Sequence, residues 1–242
     1  MRNVLTAASL FALASIASAH EREFTQSRDW FLPYQGEHEL EWRSFFDTTH
    51  GSYRGQVEYE YGITDWFAIE PGLEIKEKDD GKYEVEGAEL ELRFHFLEFD
   101  YDKWLPAINL EYEQPFEGKD GDEPAVELKT ALSRYGQDGK DFTVNLNVGK
   151  QLSGPKEDES ELTAGYIQPF GADAGPSAGW HDGFRAGVEL VEDFEAHDTR
   201  VGPLLVYRAT GHWNVLANYL FAVDDRDDGN FDQLTLIVEF EF

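Results

Sequence analysis

One dyad recurs along this chain: two glutamates separated by a single residue. It stands at Glu39/Glu41, Glu58/Glu60, Glu89/Glu91, Glu111/Glu113 and Glu239/Glu241. On a β-strand successive side chains alternate between faces, so both members of each dyad lie on one side. Carboxylates stacked this way attract cations, orient polar solutes and pair with guanidinium groups. Glu70 and Glu74, four residues apart, share a face by the same alternation, and Arg43, Arg54, Lys76 and Arg93 share the acidic face, where they offset part of the repulsion. A second set, Lys129, Asn145, Asn147, Arg185, Arg208, Asn214 and Asn218, is neutral to basic.

Other chemistry finds little footing. There is no GxSxG element, no HExxH and no P-loop. His20, His38, His50, His95, His181, His197 and His212 are scattered without the spacing of metal ligands. No catalytic residue, metal site or cofactor is therefore expected. His95 falls among Glu89, Glu91 and Arg93 and reads as a salt-bridged interior histidine.

The 242 residues carry 49 acidic and 20 basic side chains, a net charge of -29, which excludes nucleic acid as a partner. Aromatics make up 14%, too many for a disordered acidic chain. Arg2, the apolar stretch 4–16 and Ala17-Ser18-Ala19 read as a signal peptide cleaved after Ala19. Without cysteine, no disulfide framework can hold the exported chain together. No later window offers the roughly 18 apolar residues of a membrane helix. A chain of this kind crosses a membrane only as a closed barrel.

The elements that must position the dyads are then legible. Residues 20–36 read as a periplasmic lead-in. From 37 to 242 the chain breaks into amphipathic runs of about ten residues separated by Gly, Asp, Asn and Lys turns. They span 37–47, 53–63, 66–76, 83–96, 104–116, 125–134, 142–152, 161–170, 184–194, 201–209, 213–223 and 231–242. In 83–96 the phase slips at Gly87, which predicts a bulge. The run 161–170 is weak, and 201–209 is interrupted by Pro203 with ambiguous phase. The pattern predicts an all-β, antiparallel up-and-down transmembrane β-barrel of about 12 strands, with 10–14 open.

Aromatic residues cluster by level as well as by face. Tyr61, Phe96, Trp104, Tyr135, Phe170, Trp213 and Phe242 all fall at the end of the barrel that holds the chain termini, as a membrane interface selects. Trp66 and Trp180 share that level, though Trp66 has inward parity by strict alternation.

The last run, FDQLTLIVEFEF, sets Leu234, Leu236, Val238, Phe240 and Phe242 on one face, with Ile237 as the apolar exception on the other. It resembles the final strand of bacterial outer-membrane β-barrels, and that resemblance implies recognition by the barrel-assembly machinery and an outer-membrane location in a Gram-negative bacterium. Tyr61-Gly62-Ile63-Thr64-Asp65-Trp66 is similar to a hairpin of the phenol-degradation-pathway (MetA-pathway) outer-membrane transporter family. The resemblance covers that hairpin and implies no substrate.

A soluble β-sandwich or lipocalin-like barrel shares the alternation but has no reason to level its tryptophans. In a membrane barrel the apolar face meets lipid and the dyads line the lumen. The expected function is a passive channel or transporter for small solutes or cations, biased toward cations. A closed barrel serving structure or surface interaction is the alternative, and an outer-membrane enzyme the third.

Overall fold

The computed structural model describes residues 23–78, 81–116, 123–153, 158–169, 183–210, 212–223 and 231–242. The signal peptide, Phe170, Trp180 and most of the expected charged outer loops lie outside the described residues.

Twelve strands, each antiparallel to its neighbour, close into a single barrel. They are β1 (His38–Asp47), β2 (Ser52–Thr64), β3 (Phe67–Glu77), β4 (Tyr83–His95), β5 (Trp104–Pro115) and β6 (Ala125–Tyr135). β7 (Asp141–Gln151), β8 (Asp158–Pro169), β9 (Gly183–Asp193), β10 (Asp198–Thr210), β11 (Trp213–Ala222) and β12 (Gln233–Glu241) complete it. The seam pairs β1 with β12, from Glu39↔Glu241 to Asp47↔Gln233. The two weak runs are full strands. The expected bulge is present beside Gly87: Glu74 pairs with Gly87 and Ile75 with Val85, leaving Glu86 over. The turn expected over 62–65 is shorter and later. β2 continues through Thr64 and β3 starts at Phe67, so Trp66 sits in the turn, exposed.

The period of two sorts the wall into an apolar outside and a polar inside. Leu40, Trp42, Leu73, Leu90, Leu110 and Leu146 face out. Two aromatic bands circle this surface. Near the termini, His38 stacks between Tyr61 and Phe242, Trp213 meets Phe240, Phe184 stacks on Tyr207, and Phe67 on Phe94. Phe96 and Trp104 are exposed in the same band. Tyr53 with Phe46 and Tyr83, and Tyr219 with Phe221, mark the opposite end. Tyr135 leaves the expected band. It points inward and is fully buried.

The largest departure concerns the lead-in. Residues 23–32 are not a tail outside the barrel but a segment folded into its lumen, with Phe24, Trp30, Phe31 and Leu32 all buried. Apolar side chains that break the alternation form their seats. Phe24 packs with Ile167, Leu204, Val206, Leu216 and Ile237. Trp30 and Phe31 pack with Leu105, Ala107, Ala131 and Tyr135. The ambiguous phase of β10 has the same cause. Its inner face is apolar at Leu204 and Val206 because Phe24 sits there, while its outer face carries Leu205 and Tyr207.

Candidate functional site

Closure brings the dyads onto one continuous sector of inner wall. Cross-strand neighbours there are like-charged: Glu41↔Glu58, Glu39↔Glu60, Glu70↔Glu91, Glu89↔Glu113 and Glu91↔Glu111. Such pairs destabilise a sheet unless cations lie between them. Three wall cations do. Arg43 pairs with Glu41 and Glu58 and lies 3.5 Å from Glu70. Arg93 reaches Glu60 at 2.6 Å and Glu70 at 3.3 Å. Lys129 reaches Glu111 at 2.6 Å, Glu91 at 3.2 Å and Glu127 at 3.4 Å.

The fourth cation comes from the segment in the lumen. Arg28 Nη2 donates to Glu70 at 2.7 Å and Glu91 at 3.4 Å, with Glu58 at 3.6 Å. The segment is tied down along its length. Arg93 Nη2 donates to the Phe31 carbonyl at 3.0 Å, and Ser27 Oγ meets Thr163 Oγ1 at 2.9 Å. Gln26 donates through Nε2 to Thr235 and through its backbone N–H to Glu189, which also accepts from Thr25. Arg208 donates to Glu23 at 3.0 Å, and Arg185 pairs with both Glu23 and Asp141. Asp29 closes the loop by accepting from the backbone N–H groups of Glu23 and Phe31, both at 3.1 Å.

Two glycines make room for this path. A Cβ on Gly62 would lie 2.0 Å from the Tyr34 carbonyl oxygen, where the chain turns into the lumen. A Cβ on Gly165 would lie 2.3 Å from the Phe24 ring. Gly165→Leu should therefore evict Phe24 from its seat, at a cost of about 1–3 kcal/mol for overpacking. Trypsin applied to the protein folded in detergent should then cut after Arg28, a bond shielded in the parent barrel. Equal protection in both would show that Phe24 does not secure the segment.

Above the segment, toward the end away from the termini, a vestibule of about 570 Å³ opens. Thr25, Gln26 and Arg28 form its floor, and eight carboxylates border it against four cationic side chains. Glu74, Glu111, Glu113, Glu127, Glu161 and Asp193 stand in its wall, opposed by Arg43, Arg54 and Lys129. Arg54 lies over the Phe45 ring at 4.7 Å. Below this floor, a void of about 10 Å³ borders Arg28, Glu39, Glu41, Glu60 and Arg93.

Of the residues singled out by spacing, Glu39, Glu41, Arg43, Glu58, Glu60, Glu70, Glu89, Glu91, Arg93, Glu111, Arg185, Glu239 and Glu241 are buried, and Glu74, Glu113 and Lys129 are half-buried. They do not form one surface. Glu74, Glu111, Glu113, Arg43 and Lys129 border the vestibule, whereas Glu39, Glu41, Glu60 and Arg93 border the void beneath it. Arg185 anchors Glu23 instead. Among the described residues His95 forms no salt bridge. Its Nε2 bonds the Asp65 carbonyl, and its ring meets Trp30 edge-on at 4.1 Å. Spacing missed Arg28 and Glu189, the two residues with most to do with holding the segment. The signal available was four aromatics, Phe24, Trp30, Phe31 and Tyr34, in a stretch that an exposed tail would leave polar. Where the segment enters, burial pushes the Glu37 carboxyl above its usual range despite the Tyr34 N–H it accepts at 2.8 Å.

No family model and no curated protein sequence matches the chain. Solved structures do match in fold. The KdgM porin in complex with a disordered oligogalacturonate superposes with a TM-score of 0.60 at 11% identity, over 84% of this chain and 99% of that one. The NanC porin gives 0.54 at 11% identity, over 83% and 98%. An outer membrane channel from Pseudomonas putida F1 gives 0.54 at 10% identity, over 91% and 100%. The chain thus has the closed, antiparallel, all-β fold seen in outer-membrane porins and channels. The likeness of the 61–66 hairpin to phenol-degradation-pathway transporters rests on that hairpin alone.

Proposed function

We propose that this chain is an outer-membrane channel for small solutes, selective for cations, whose lumen is closed at mid-height by its own N-terminal segment. The observation that carries the reading is the vestibule: a space of about 570 Å³ with eight bordering carboxylates and four cationic groups, floored by Thr25, Gln26 and Arg28. An excess of acidic groups around a narrow opening concentrates cations and repels anions. The apolar outer face between two aromatic bands supports a membrane setting, with the termini on the periplasmic side and the closing strand β12 offered to the assembly machinery.

The KdgM porin holds an oligogalacturonate, a polyanion. This vestibule, with eight carboxylates against four cationic groups, carries the same sign as a polyanion, so the solute assigned here is a small cation, a protonated amine included. Neutralising Glu113, Glu161 and Asp193 together (E113Q, E161Q, D193N) should lower the cation-to-anion permeability ratio severalfold in planar bilayers. An unchanged ratio would remove the vestibule acids from the permeation path.

A second reading is favoured by one observation. Residues 23–33 are all buried except the half-buried Gln26, so the barrel also suits a permanently closed scaffold. Absence of current after the segment is removed would decide for that reading.

A further inference from the structure

We propose that the barrel seam binds a divalent cation, calcium in preference to magnesium, between Glu39, Glu41 and Glu239. The register of β1 and β12 sets Glu41 opposite Glu239 and Glu39 opposite Glu241, while β2 sets Glu60 opposite Glu39. Carboxylates opposed in this way need a cation between them. Arg93 acts on Glu39 from a distance, but no cation touches it among the described residues: it is nine-tenths buried, yet its carboxylate makes no hydrogen bond or ion pair with them. Burying an ionised carboxylate without compensation is costly.

The geometry supplies the compensation. Carboxylate oxygens of Glu39, Glu41 and Glu239 lie within 4.8 Å of one another. Oxygens bound to one calcium ion at about 2.3–2.6 Å stand at most roughly 5 Å apart, so the three can share an ion as they stand. Magnesium demands near-ideal octahedral geometry and keeps several of its waters, which a buried set of three carboxylates accommodates less well than calcium's flexible shell. A void of about 10 Å³ beside Glu39, Glu41 and Glu60, bordered on its other side by Arg28 and Arg93, has room for a single water that would complete the ion's shell. Glu60 Oε1, buried and without a hydrogen-bond partner, faces the same region. An ion here would join the first strand to the last, so binding should stabilise closure as well as neutralise charge.

The test uses the full-length mature protein folded in detergent micelles, stripped with chelator and titrated with calcium chloride at neutral pH. Binding is read by calorimetry and by the temperature at which the heat-modifiable band unfolds. The expected result is binding with a Kd on the order of 10⁻⁴ M or tighter and a higher unfolding temperature in calcium than in chelator. E39Q should bind on the order of tenfold more weakly. It should also unfold at a higher temperature than the parent in chelator, because one repelling charge is gone. E113Q, in the separate Glu89, Glu111, Glu113 group, which opens onto the vestibule through Glu111 and Glu113, should titrate like the parent. The proposal is overturned if calcium and magnesium neither bind nor raise the unfolding temperature, or if E39Q titrates like the parent. Loss of binding in E113Q but not E39Q overturns it as well. None of these readings involves current, so they stand apart from the channel reading.

Discussion

Deleting residues 20–33 should turn a closed barrel into one that conducts in discrete steps across a planar bilayer. The segment is the floor of the vestibule, and a void of about 10 Å³ lies beneath it. Its removal takes away Phe24, Trp30, Phe31 and Arg28 from the lumen, and water takes their place. The barrel itself should survive. Each strand keeps both hydrogen-bonded neighbours, and the seats of Phe24 and Trp30 are wall residues held by the sheet. The carboxylates left by Arg28 would then be hydrated rather than buried, so the penalty for stranding a buried charge largely disappears. The parent protein should show brief, rare openings; the shortened one should stay open. A shortened barrel that folds but stays silent would mean that the remaining side chains, not the segment, close the lumen.

Arg28→Ala should have the next largest effect, in the same direction and by a different route. Arg28 is buried and links the segment to Glu70, Glu91 and Glu58 on three different strands. Removing one partner of a buried ionic network costs about 3–5 kcal/mol, because the partners stay buried and repel one another. If that cost falls on the closed state alone, the open fraction rises by roughly 10²–10⁴-fold. Single-channel recording would read it as open probability at unchanged unitary conductance. Arg28→Lys should fall between, since it keeps the charge and loses the fork that spans more than one carboxylate. An open probability equal to the parent's would show that the apolar seats alone hold the segment.

Much of the barrel was legible because one face of every strand is apolar, and a period of two is hard to mistake over about ten residues. The dyads were legible for the same reason. The exceptions carried the rest. Ile237, the one apolar residue on the wet face of β12, and the phase confusion around Pro203 are where Phe24 is received. Taken singly they look like noise; only closure of the sheet shows that Ile167, Leu204, Val206, Leu216 and Ile237 form one patch. The segment itself could not be placed from local pattern, since its partners lie far along the chain. Glu23 meets Arg208 across 185 positions, and Thr25 meets Glu189 across 164. The same holds for the seam: Glu39, Glu41 and Glu239 meet only because β1 and β12 pair. Spacing rules seek metal ligands within one hairpin or helix and pass over such a group.

The most direct measurement of the central claim is the zero-current potential of the barrel lacking residues 20–33, recorded across a potassium chloride gradient. With the floor gone, the current passes the vestibule and the acidic sector, and both favour cations. The account predicts a potential whose sign and size mark preference for potassium, collapsing toward zero when E113Q, E161Q and D193N are introduced. A potential of the opposite sign, marking preference for chloride, would contradict it.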